Sequence, residues 1–187
     1  TKFPREPMTT YCPVKRVVLV MDLMQIDWYH AAKRDLLKLP NQYVSILFDV
    51  AQALVHLHRH RIVHLDVKPA NVLMLKDRTP KITDVAFGAN LSKDLRRQGK
   101  IQKVGTPHYM APEQIRKATA NFGPWTDLYA LGCMVIELCS GGPPFVGPMV
   151  DVLRMHLEDP VPPLAPKIAV PTDLNDWLAR CLAKDAA

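Results

Sequence analysis

The chain has 187 residues, 48% of them hydrophobic, which suits one domain with a real core. Its formal net charge of +6 fits an acidic ligand, or simply an ordinary lysine-rich surface. No apolar run approaches the roughly 18 residues that a membrane-spanning helix needs, no signal peptide is visible, and Cys12, Cys133, Cys139 and Cys181 make no CxxC pair or Cys/His ligand spacing.

Residues 1–14 carry no period and read as a loop or the stump of something longer. Arg16 to Leu23, RVVLVMDL, is β-branched and apolar, the pattern of a buried strand. Asp27 to Leu37 reads as a short amphipathic helix stopped by Pro40. Asn41 is a candidate cap for the next helix, which ends near His60 and whose apolar face is Val44, Leu47, Phe48, Ala51, Leu54 and Leu57. His56, His58 and His60 read as surface or helix-end residues.

Two short strands follow, Val72–Leu75 and Lys81–Thr83, joined by the turn KDRTP. The stretch from Asp84 to Pro112 has no sustained period, and loops of that length are usually functional or disordered. Trp125–Cys139 is apolar all round, so it is expected to be a central buried helix carrying Cys133 and Cys139 as buried thiols in a reducing compartment. Helices near Pro148–Leu157 and Thr172–Ala183 finish a mostly helical α+β unit.

The chemistry concentrates in residues 64–71, HLDVKPAN. A carboxylate at a loop tip, Asp66, can accept a proton from a hydroxyl nucleophile. Lys68 can neutralise charge on a transferring phosphoryl group, and Asn71 can offer an amide oxygen to a hard cation such as Mg²⁺. Asp84, just past the second hairpin strand, is the candidate second ligand. Taken singly, Asp66-x-Lys68 would be a surface pair, Asp84 a turn residue, Asp127 a helix N-terminal acid, and Met21 and Leu73 plain core.

Together they resemble a eukaryotic-type Ser/Thr protein kinase domain. His64-Leu65-Asp66-Val67-Lys68-Pro69-Ala70-Asn71 is similar to the family's catalytic loop H-R-D-x-x-x-x-N, and Asp84-Val85-Ala86 falls where the family has D-F-G. Ala111-Pro112-Glu113 matches A-P-E, and Thr126 to Gly132 resembles the (S/T)-D-x-(W/Y)-x-x-G of the central helix. Four motifs in order, over residues 16–187, make the resemblance specific.

It implies a protein-kinase-like fold: a mostly helical large lobe with a hinge strand and a short β-hairpin. Residues 1–15 would be a remnant of the small N-terminal lobe, and 16–187 the hinge and a large lobe truncated before its last helix. Asp66 would be the base, Lys68 a γ-phosphate contact, and Thr106 the residue tying the substrate loop to both. Asn71 and Asp84 would ligate Mg²⁺, with Mn²⁺ an alternative. Met21 would guard the adenine pocket, the backbone of Asp22 and Met24 would bond the adenine of ATP, and Leu73 would pack beneath it. His64, Glu113 and Asp127 would be structural. The implied partners are a nucleotide and a Ser/Thr protein substrate, not nucleic acid, in the cytoplasm or nucleus.

The chain also departs from the family. Leu65 replaces the arginine that reads a phosphorylated activation segment, so phosphate on Ser92, for example, is not expected to act through this position. Val85 and Ala86 replace Phe and Gly, which should stiffen or misplace Asp84. No GxGxxG and no lysine on a preceding strand occur, so these residues alone are expected to turn over little, and Glu113 would lack its usual arginine. A pseudokinase or regulatory binding module is therefore the alternative, with a small-molecule phosphotransferase third.

Overall fold

The computed structural model describes residues 26–27, 40–75, 77, 79–85, 89–90, 105–167 and 170–185. In chain order they form β1 (Ile26–Asp27), α1 (Pro40–Arg59), β2 (Ile62–Val63), β3 (Val72–Met74), β4 (Pro80–Ile82), β5 (Ala89–Asn90), α2 (Pro112–Ile115), α3 (Pro124–Ser140), α4 (Met149–Glu158) and α5 (Leu174–Cys181). Single 3₁₀ turns lie at Pro69–Asn71, Pro107–Tyr109 and Thr119–Asn121. The strand expected over Arg16–Leu23 lies outside the described residues.

α3 is the axis. Pro124 opens it, where a missing N–H costs nothing. Gly141 closes it with φ 85°, its N–H donating to the Glu137 carbonyl at 2.7 Å. One side of α3, through Ala130, Leu131 and Met134, packs with Ile46, Val50 and Leu54 of α1 and with Val67, Val72 and Met74. The other side, through Tyr129, Cys133, Ile136 and Cys139, packs with Ala111 and with Leu178 and Leu182 at the α5 end. A Cβ on Gly132 would stand 3.0 Å from the Leu182 side chain, so glycine permits that close approach. Cys133 and Cys139 are free, buried thiols, and burial raises the pKa of both, which leaves them inert.

The sheets are small. β3 lies between β1 and β4, antiparallel to both, with Leu73 opposite Asp27 on one side and Lys81 on the other. β2 pairs with β5. Asp27 is thus a strand residue on the edge of β3 rather than the start of a helix, and the remainder of that expected helix lies outside the described residues.

α1 departs from expectation in two ways. It begins at Pro40, so Asn41 lies inside the helix rather than capping it. Its buried stripe is Ile46, Val50 and Leu54, with Leu47, Ala51 and Leu57 beside it. Phe48 is 63% exposed, because two residues past Ile46 is about 200° around the helix. Of the expected face, Leu47, Ala51, Leu54 and Leu57 do meet the core, Phe48 does not, and the Val44 side chain lies outside those described.

Candidate active site

Residues 64–71 leave β2 through a sharp turn at Leu65, whose φ is 69°. A branched side chain in that left-handed region costs on the order of 1–2 kcal/mol, so something must hold it. Asp127, fully buried in the first turn of α3, does so. Its Oδ2 accepts from the His64 N–H and its Oδ1 from the Leu65 N–H, both at 2.8 Å. The Leu65 carbonyl in turn accepts from Gln114 Nε2 at 2.8 Å. Leu65 itself is 2% exposed, a packed residue where an arginine would be a buried charge.

His64 is fully buried as well. Its Nε2 donates to the Thr83 carbonyl at 2.8 Å while its Nδ1 accepts from the Asp66 N–H at 3.3 Å, which fixes one neutral tautomer and links the loop to the end of β4.

Three side chains converge on the Asp66 carboxylate. Thr106 Oγ1 donates to Oδ1 at 2.8 Å, Lys68 Nζ pairs with Oδ2 at 2.8 Å, and Asn71 Nδ2 donates to Oδ2 at 3.0 Å. Lys68 also donates to Thr106 Oγ1 at 2.7 Å, closing a ring of three residues 38 and 40 positions apart at its widest. Asn71 Nδ2 bonds the Asp66 main-chain oxygen too, at 2.8 Å, so its Oδ1 is the atom left for a cation. Asp66 and Lys68 side chains keep 13% and 23% exposure, so the pair is reachable from solvent.

The hairpin carries the second carboxylate to this end. Thr83 N–H and Oγ1 both donate to the Asn71 carbonyl, at 2.9 and 3.3 Å, which continues the β3–β4 pairing by one residue. Asp84 is next, exposed, with φ 63°. Among the described residues no group of three or more His, Cys, Asp or Glu is gathered for a metal. The oxygen donors here, one amide and one carboxylate, suit a hard cation that keeps several waters. Leu73 is half-buried in the central strand, while Met21, Asp22, Met24 and Ala86 lie outside the described residues.

The segment that delivers Thr106 is anchored separately. Tyr109 Oη donates to Glu137 of α3 at 2.6 Å. Gln114 Oε1 accepts from the Ala111 N–H at 3.0 Å, the side-chain half of a capping box. Glu113, expected to lack its usual arginine, accepts from the Thr126 hydroxyl at 2.6 Å in a buried site.

His58 was misjudged from sequence. Its Nε2 sits 2.8 Å from Asp127 Oδ2, so it belongs to the support of the loop. The signal was available: four residues past Leu54 continues the stripe Ile46, Val50, Leu54 inward. His60 is a helix-end residue, its Nδ1 donating to the His56 carbonyl at 2.8 Å.

The model of the protein kinase domain family matches residues 8–186. This chain belongs to the protein kinase family. It is 35% identical over 151 residues to the serine/threonine-protein kinase PknB of Mycolicibacterium smegmatis. It is likewise 35% identical over 148 residues to the serine/threonine-protein kinase PAK 4 of Homo sapiens. Each match covers 78% of this chain and 24% of the relative, so the chain aligns with about a quarter of those proteins' length. The α+β kinase-like architecture expected from the motifs is that of the family. No helix among the described residues is long and apolar enough to cross a membrane.

Proposed function

We propose that this chain carries the phosphotransfer machinery of a Ser/Thr protein kinase, which moves the γ-phosphoryl group of ATP to a serine or threonine hydroxyl of a protein. The observation behind this reading is the closed ring of Asp66, Lys68 and Thr106. Asp66 accepts hydrogen bonds along its rim and is reachable, so it can orient an incoming hydroxyl and take its proton. Lys68, already beside that carboxylate, supplies positive charge next to the oxygens of the transferred group. Thr106 links both to the segment on which the acceptor peptide would lie.

Asn71 Oδ1 and the Asp84 carboxylate would hold Mg²⁺, or Mn²⁺ in its place. When bound, that ion would offset phosphate charge. Met21, the main chain of Asp22 and Met24, and Leu73 would form the adenine side of the cleft. Leu65 gives the loop no cation with which to read an activation-segment phosphate, so activity should not require one there. Buried, inert thiols fit an intracellular compartment.

The test is Asp66→Asn in the full-length protein. The substitution keeps shape and removes the proton acceptor, so phosphotransfer to a Ser/Thr peptide should fall about 10²–10⁴-fold with little change in melting temperature. The rival reading is a regulatory binding module, favoured by Val85 and Ala86 in place of Phe and Gly. It gains if the wild type transfers no phosphate and the variant keeps every cellular phenotype.

A further inference from the structure

On the far side of α3 lies a buried polar chain that the phosphotransfer reading does not use. Lys184 Nζ donates to the Met155 and His156 carbonyls at the end of α4, at 3.2 and 2.9 Å, and to Tyr129 Oη at 3.4 Å. It also lies 4.7 Å from the Phe145 ring centroid. Tyr129 Oη then meets His156 Nδ1 at 2.9 Å. His156 is 0% exposed, its ring edge-on to Phe145, and its Nε2 is buried with no hydrogen-bond partner.

The direction of this chain follows from its first member. An ammonium has three donors and no acceptor, and Lys184 directs them at two carbonyls and a phenol. The Tyr129 oxygen therefore accepts from Lys184 and passes its own hydrogen to His156 Nδ1. With Nδ1 accepting, the proton of a neutral imidazole sits on Nε2. Burial first, and Lys184 second, hold the ring neutral by pushing its pKa down to about 4. Main-chain groups of Pro107 and His108, the residues just after Thr106, act on the His156 ring, and with Nδ1 taken by Tyr129 the nitrogen left for them is Nε2. α4 packs directly on this turn. An unpaired buried donor in a native fold calls for an explanation, and one aimed at a substrate-bearing segment supplies it.

We propose that His156 is a positioning residue for the acceptor peptide. Its Nε2–H bonds a main-chain carbonyl of Pro107 or His108 when substrate presses the 107–109 turn toward α4, which sets the height of Thr106 over Asp66. This deepens the phosphotransfer reading and rests on it for the role of the turn. The polarity of the chain does not.

Two measurements on the full-length protein separate these levels. Nitrogen NMR at neutral pH should show His156 as the neutral Nε2–H tautomer, and Tyr129→Phe should shift it toward the other tautomer. A proton on Nδ1 in the wild type overturns the proposal. His156→Phe, which keeps an aromatic ring but removes both nitrogens, should raise peptide KM about tenfold while ATP KM stays within about twofold, as expected for one hydrogen bond lost to the turn. His156→Gln, with an amide N–H in place of Nε2–H, should recover most of the loss. Equal changes in both KM values, or an unchanged peptide KM, reject the positioning role. If the wild type transfers no phosphate, the functional reading fails by itself. Amide exchange at Tyr109 and Met110 with a Ser/Thr peptide added then decides: faster in His156→Phe supports the contact, unchanged sinks it.

Discussion

The 64–71 loop and the 105–114 segment meet at Asp66, yet they are held in different ways. Residues 64–71 depend on one buried hub: Asp127 accepts two main-chain N–H groups and contacts His58. Residues 105–114 depend on dispersed anchors, Tyr109 on Glu137, Glu113 on Thr126 and Gln114 on Leu65. A hub gives one rigid geometry at the expense of a single point of failure. Dispersed anchors let a segment shift by small amounts without letting go.

This contrast can be broken at the hub first. Asp127→Ala orphans two buried N–H groups and a histidine, and should destabilise the domain by about 4 kcal/mol in urea melts. A loss below 1 kcal/mol would mean that the hub is not one. Acid probes the buried chain behind the segment. Unfolded, His156 takes a proton near its ordinary value of 6.5; folded, only near 4. Above pH 7 neither state binds that proton. As pH falls from 6.5 to 4 the unfolded state gains it first, and stability should drop by about 3 kcal/mol. Lys184 and His108 face the same ring and both favour its neutral form. The urea midpoint of His156→Phe should lack this component of the pH dependence. The smallest effect belongs to a single dispersed anchor: Tyr109→Phe should cost about 1–2 kcal/mol and leave the loop geometry intact, read as unchanged exchange at the His64 and Leu65 amides.

The same contrast explains what could be read from the sequence. Asp66, Lys68 and Asn71 stand within six residues, with Pro69 opening the turn between them, so chemistry and spacing coincide along the chain. The central helix was legible because it is apolar on every side, α5 lies inside the range expected for it, and α4 overruns its expected range by one residue, Glu158. What escaped were contacts made across the fold. Nothing local tells that Thr126 serves Glu113 13 residues earlier, or that His58 serves Asp127 69 residues later. α1 was legible in part: Leu47, Ala51, Leu54 and Leu57 face the core as expected, but Phe48 is apolar and 63% exposed, which periodicity alone does not reveal.

A carboxylate has room for about four hydrogen-bond donors. On Asp66, Thr106 uses Oδ1, while Lys68 and Asn71 crowd Oδ2. Among the described residues one position remains, on Oδ1. On the phosphotransfer reading, Asp66 could take one further donor, and a second would have to dislodge a resident.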